Sequence, residues 1–332
     1  MDGNVTVGSF TASDGMRVEY FTHGSPNSPV LLISPALSGS AAAYAHDFGA
    51  GLRDYFVVAV QLRGHGTGGG CTYDGAEHCS QAQSPKEGVY GGFRMSRLAA
   101  DLKETWQYLG LAKAALLGHS MGMSVVAELI SNNGTKGITG LVVYDQSPVN
   151  MDIGVPENST FPADIQSTYP FLPLVGMVES YPVFETKKNY VNVRHNVKQM
   201  LGGEPVLNPC NPKPAFVLTE EAWLRWAEFA DGINGKVLST LLWNTLSNDY
   251  SDVYRVVAQS GMPVLVYGGK SSIVPWRAMQ WVSEQVPDSE FMLFEKEDGV
   301  HAPHLSPPPL REKFMNGVLS FLDCRVRPKA RG

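Results

Sequence analysis

The chain has 332 residues, 43% of them hydrophobic and 17% charged, enough for one large α/β core or a core carrying a second layer. A net charge of −6 argues against a nucleic-acid partner, which usually requires a basic face. No apolar run approaches the roughly 18 residues of a membrane span, and the polar start lacks the pattern of a secretory signal, so a cytoplasmic protein without membrane attachment is expected.

Short apolar runs bounded by turn residues alternate with helical periodicity, the pattern of a mostly parallel sheet with helices on both faces. In chain order, strands are predicted at 18–21, 30–33 and 57–62. A long Gly-rich stretch, 64–92, follows and holds Cys71 and Cys79. These two lie close enough to bridge, but a cytoplasmic chain more often keeps both as thiols. A helix at 95–109 sets Met95, Leu98, Leu102, Trp106 and Leu109 on one stripe for packing against the sheet. A strand at 114–117, a helix at 121–132 and a strand at 141–144 come next.

The rhythm then breaks. Residues 150–252 contain no clear buried strand and are rich in Pro and aromatics, including Phe161, Tyr169, Trp223, Trp226 and Trp243, with one helix predicted at 219–230. Such a stretch reads as a helical cap (lid) inserted into a core made of 1–149 and 253–332, because ligand pockets tend to form between such layers. The competing reading is a set of packed surface helices with no part in substrate choice. The remaining elements are strands at 264–267 and 290–294 and helices at 276–286 and 310–322. Cys71, Cys79, Cys210 and Cys324 have no metal-ligand spacing, and no residue pattern points to a metal, nucleotide or other cofactor.

The chemistry is concentrated in Gly118-His119-Ser120-Met121-Gly122, a G-x-S-x-G motif. The pattern alone is weak, but the apolar run 114–117 leads straight into it and a helical pattern leads straight out. A strand–turn–helix of this kind is what a nucleophile elbow requires: a sharp, strained turn that aims the serine hydroxyl above the sheet edge. Gly118 and Gly122 remove Cβ atoms that would clash there. The Met121 N–H falls at the start of the helix, where it can stabilise an oxyanion.

With these residues in place, the chain resembles the α/β-hydrolase superfamily, in the style of its small serine esterases and cofactor-free haloperoxidase-like members. Leu62-Arg63-Gly64-His65-Gly66 is close to that family's D-x-R-G-H-G turn, with Gln61 where Asp is usual. The segments 97–102, 262–275 and 299–308 fall in the family's order, so the likeness spans about 15–148 and 253–322. It implies the α/β-hydrolase fold with an inserted cap, and a catalytic triad whose base is His301, in the loop after the last strand. His304 matches a family position that is not catalytic, and His119 and His65 are expected to be structural.

The resemblance also implies a second oxyanion donor after the strand at 30–33. Where the family usually has His-Gly, this chain has Ser34-Pro35, and Pro35 has no N–H to donate. The Ala36 N–H is the candidate, with Leu37 as fallback. The acid is less direct. After the seventh strand the family's turn usually carries an Asp, and here Ser271 occupies that slot. Some members carry the acid after the sixth strand, where this chain offers Asp145. The run Glu295, Glu297, Asp298 and a Ser–His dyad without an acid remain as alternatives. The expected reaction is cleavage of an ester, thioester or lactone of an apolar or aromatic small molecule through an acyl-enzyme on Ser120. A lyase, cyclase, acyltransferase or peracid-forming enzyme on the same fold, and a non-catalytic ligand receptor, are the rival readings. Nothing in the sequence indicates an oligomeric state.

Overall fold

A computed structural model describes residues 5–37, 39–65, 91–149, 161–166, 235–295 and 298–327. Eight strands form one sheet: β1 (Thr6–Thr11), β2 (Arg17–His23), β3 (Val30–Ser34), β4 (Phe56–Val60), β5 (Ala114–His119), β6 (Ile138–Tyr144), β7 (Val264–Gly269) and β8 (Glu290–Phe294). Their spatial order is β1-β2-β4-β3-β5-β6-β7-β8. The first two strands run antiparallel, and all neighbours from β4 through β8 are parallel.

The central strands are β-branched and leucine-rich without alternation because both their faces are covered. On one face Leu32, Val58, Leu116, Val143 and Val266 pack with the helices Met95–Tyr108, Met121–Asn133, Ser251–Ser260 and Trp276–Gln285. On the other, Leu31, Ile33, Val57, Leu117, Tyr144 and Tyr267 pack with Ala41–Gly51 and Pro308–Phe321. Successive residues of one strand serve opposite cores, as the period of two demands.

β3 has β4 on one side and β5 on the other, so the chain reverses its direction of travel across the sheet at β3. The helices following β3 and β5 lie on opposite faces of the sheet, and in open α/β sheets ligands bind at the carboxyl ends of the strands at such a reversal. Ser34 and Gly118 are paired neighbours at that end.

Buried polar side chains brace the turns at this edge. The buried Arg63 guanidinium binds Asp101 through Nε at 2.5 Å and Asp14 through its two terminal nitrogens at 2.5 and 2.9 Å. Burial disfavours the Arg63 cation, but the two carboxylates more than offset this and hold it charged. Gln61 Oε1 accepts from the Ala41 N–H at 3.1 Å, so the residue standing in for the usual Asp caps the helix Ala41–Gly51 together with Ser40.

Val149 bridges Asp249, and the Tyr250 N–H donates to the Pro148 carbonyl at 3.0 Å, while Phe161, Ile165, Leu241 and Leu246 join the core on one face of the sheet. Most of the predicted cap, with the predicted helix 219–230 and Trp223, lies outside the described residues, as do Cys71, Cys79 and Cys210. Cys324 is a free, exposed thiol. Among the described residues no helix is long and apolar enough to cross a membrane, and no His, Cys, Asp and Glu cluster could hold a metal ion.

Candidate active site

Ser120 stands between β5 and the helix Met121–Asn133 with φ 51° and ψ −130°, a left-handed backbone that a serine adopts only under constraint. Its N–H donates to Tyr144 O at 2.9 Å, and its carbonyl accepts from Met123 N at 2.7 Å. Gly122 allows the turn to close. A Cβ there would collide with the carbonyl oxygens of Ser34 and Pro35, so the first turn of the helix rests against the loop leaving β3. The Met121 N–H is the first of that helix and has no partner within it by position.

One strand over, Asp145 follows β6, also with positive φ (52°), its N–H bonded to Tyr267 O at 3.2 Å. Its side chain is 0% exposed and its Oδ2 lies 2.6 Å from His301 Nδ1. A carboxylate accepts, so His301 Nδ1 carries the proton and Nε2 is left as the basic nitrogen. Burial pushes the Asp145 carboxyl up from the ordinary range, and hydrogen bonds from His301 and Ser272 oppose that rise.

The loop bearing His301 is itself held. The His301 carbonyl accepts from His119 Nε2 at 2.9 Å, and the Val300 carbonyl accepts from the Tyr267 hydroxyl at 2.7 Å. The first of these bonds fixes the His119 tautomer. A carbonyl cannot donate, so Nε2 carries the hydrogen, and burial keeps the ring neutral by pushing its pKa well down. Nδ1 therefore accepts, and its donor is the Tyr44 hydroxyl. The Tyr44 oxygen in turn accepts from the Ala36 N–H at 3.3 Å. One chain of hydrogen bonds runs from the β3 loop through Tyr44 and His119 to the His301 loop.

A model of the alpha/beta hydrolase family matches residues 20–312. The chain belongs to the alpha/beta hydrolase family. No match is found among curated proteins. Among solved structures, this alpha/beta hydrolase is similar to a bromoperoxidase from Bacillus anthracis, at 18% identity and a TM-score of 0.69, with 95% of this chain and 100% of that one covered. It is similar to the esterase EaEST from Exiguobacterium antarcticum at 16% identity and a TM-score of 0.69, covering 95% and 98%. The epoxide hydrolase CorEH gives 20% identity and a TM-score of 0.64, covering 97% and 99%. At these identities the likeness is one of fold.

Within this alpha/beta hydrolase the sequence-derived candidates divide clearly. His301 meets Asp145, whereas His304 bonds the Tyr144 hydroxyl at 2.7 Å and packs against the stacked pair Tyr44 and Phe48. Of the acidic run, Glu295 pairs with Lys270 at 2.8 Å and Asp298 with Lys313 at 2.6 Å, at the surface; Glu297 lies outside the described residues. Among the described residues no hydrogen bond joins Ser120 Oγ to His301, and His119 is what links the two segments. The Ala36 N–H has Tyr44 as a partner, over a long bond.

The sequence sets Ser271 in the slot of the family's Asp after β7, whereas in the structure it is the Ser272 side chain that bonds Asp145 Oδ2 and lies 3.3 Å from His301 Nδ1. The Ser271 N–H donates to Gly299 O at 2.8 Å. The turn after β7 is therefore one residue out of step with the alignment. Tyr44 was missed altogether, since nothing in its local sequence marks it.

Proposed function

We propose that this chain is a serine hydrolase that cleaves an ester, thioester or lactone of an apolar or aromatic small molecule. The observation that carries the reading is the 2.6 Å bond between the fully buried Asp145 and His301, beside a serine in the strained elbow turn. Ser120 Oγ attacks the substrate carbonyl carbon while His301 Nε2 takes the hydroxyl proton. Asp145 holds the imidazole in the tautomer with Nε2 free and stabilises the imidazolium that forms. The new oxyanion is met by the Met121 N–H and by the Ala36 N–H, which exchanges its long bond to Tyr44 for a shorter one to the charged oxygen. The intermediate collapses, the carbonyl carbon–oxygen or carbon–sulfur bond breaks, and the leaving group departs with the proton held by His301. Water, deprotonated by the same nitrogen, then releases the acid from Ser120.

The inserted segment supplies the substrate's binding surface in this reading. Of its described aromatics, Phe161 packs into the core edge-on against Trp281 at 5.1 Å, and Trp243 is 47% exposed. The test is labelling with a fluorophosphonate and mapping of the modified residue. Modification confined to Ser120 supports the reading, and modification elsewhere overturns it.

A further inference from the structure

Resting on the assignment of Asp145 and His301 as acid and base, we propose that Ser272 is a positioning residue of the catalytic pair, its hydroxyl holding the Asp145 carboxylate against His301. Three contacts define it. Ser272 Oγ donates to Asp145 Oδ2, lies 3.3 Å from His301 Nδ1, and accepts from the Val274 N–H at 3.1 Å. The Val274 bond fixes the direction of the hydroxyl: with one lone pair engaged by the backbone, its proton points at the carboxylate.

Both donors, His301 Nδ1 and Ser272 Oγ, act on the same carboxylate oxygen. Ser272, Asp145 and His301 thus form a triangle in which the serine fixes where Oδ2 sits and hence where the imidazole is held. A fully buried carboxylate needs such donors to stay ionised, and burial alone raises the Asp145 pKa. The position is also informative. Ser272 stands in the turn after β7, with its Oγ 3.3 Å from the His301 nitrogen that Asp145 binds, so an acid placed at residue 272 would lie within reach of that nitrogen.

The role is tested by kinetics on p-nitrophenyl acetate, with thermal unfolding measured for every variant. Ser272→Ala is expected to lower kcat by about 10- to 100-fold with KM little changed, the loss of one hydrogen bond to a charged group. Ser272→Thr, which keeps the hydroxyl, is expected to restore most of that rate, and Ser271→Ala to leave it unchanged. Adding Ser272→Asp to Asp145→Asn is expected to recover at least about tenfold over Asp145→Asn alone, and adding Ser271→Asp to recover nothing. A wild-type kcat in Ser272→Ala, or a folded Asp145→Asn/Ser272→Asp protein no faster than Asp145→Asn, overturns the role of Ser272. Full activity in Ser120→Ala overturns instead the serine-hydrolase reading on which it rests.

Discussion

His119 Nε2 donates to the backbone carbonyl of His301 at 2.9 Å, so the residue immediately before the elbow serine holds the loop of the proposed base. Its ring is stacked on Tyr144 at 3.8 Å between centroids and takes the Tyr44 hydroxyl on its other nitrogen. His119→Phe would keep the ring packing and strand both partners. Each buried group left unsatisfied costs about 1–3 kcal/mol, so a clear fall in melting temperature is expected together with reduced kcat. Wild-type kcat in a folded His119→Phe protein would remove His119 from the support of the base.

The two loop histidines should separate cleanly. His301→Ala is expected to lower kcat by roughly four orders of magnitude, the size seen when a triad member is removed, and also to cost stability, because it takes a donor from the buried Asp145. His304→Ala is expected to cost stability alone. It strands the Tyr144 hydroxyl and empties the space packed against Tyr44 and Phe48, costing about 1–3 kcal/mol of stability, while the folded fraction keeps most of its activity. Paired unfolding curves and kcat values for the two variants decide it.

As the proposed acid, Asp145 would trade stability for function. Its folded pKa is raised by burial, so its contribution to stability is full below the pKa of the unfolded chain and is lost as pH rises through the folded value. At neutral pH the buried charge is a net cost. Asp145→Asn is therefore expected to melt at or above the wild-type temperature at pH 7, with that advantage shrinking towards acidic pH, while kcat falls about 10²–10⁴-fold. Unfolding scans across pH beside activity assays check both signs.

The fold was largely legible because the strands flanking the elbow are buried on both faces and so appear as unbroken apolar runs. The predictions at 30–33, 114–117, 141–144 and 290–294 all fall inside observed strands. β1 was not legible: an edge strand of mixed exposure, Thr6–Thr11 has no apolar run to announce it. The helix Ala41–Gly51 was missed for the opposite reason, since it is buried on most sides and lacks a polar stripe. Tyr44 went unnoticed with it. The elbow turn at Ser120 could be read because a local motif sets it, and the place of Asp145 because it follows a strand. That Ser272 meets Asp145 could not be read, because which side chain reaches the carboxylate depends on the turn after β7.

Acid should destabilise the protein through its neutral buried histidines. Burial pushes His65 down to about 4 and pushes His119 well below its ordinary value. A depressed histidine contributes stability that is present above the unfolded pKa of about 6.5 and is lost as pH falls. Melting temperature is expected to decline from about pH 6.5 towards pH 4, and His65→Gln is expected to flatten part of that decline. An unchanged slope in that variant would show that His65 is not one of the groups responsible.

The most direct test of the account is the site of covalent attack by a fluorophosphonate, read by mass spectrometry on the intact protein and on its peptides. The account predicts a single adduct, on Ser120, absent from Ser120→Ala and formed far more slowly in His301→Ala, because only a positioned base makes one serine so reactive. An adduct on another residue, or hydrolytic activity undiminished in Ser120→Ala, would contradict it.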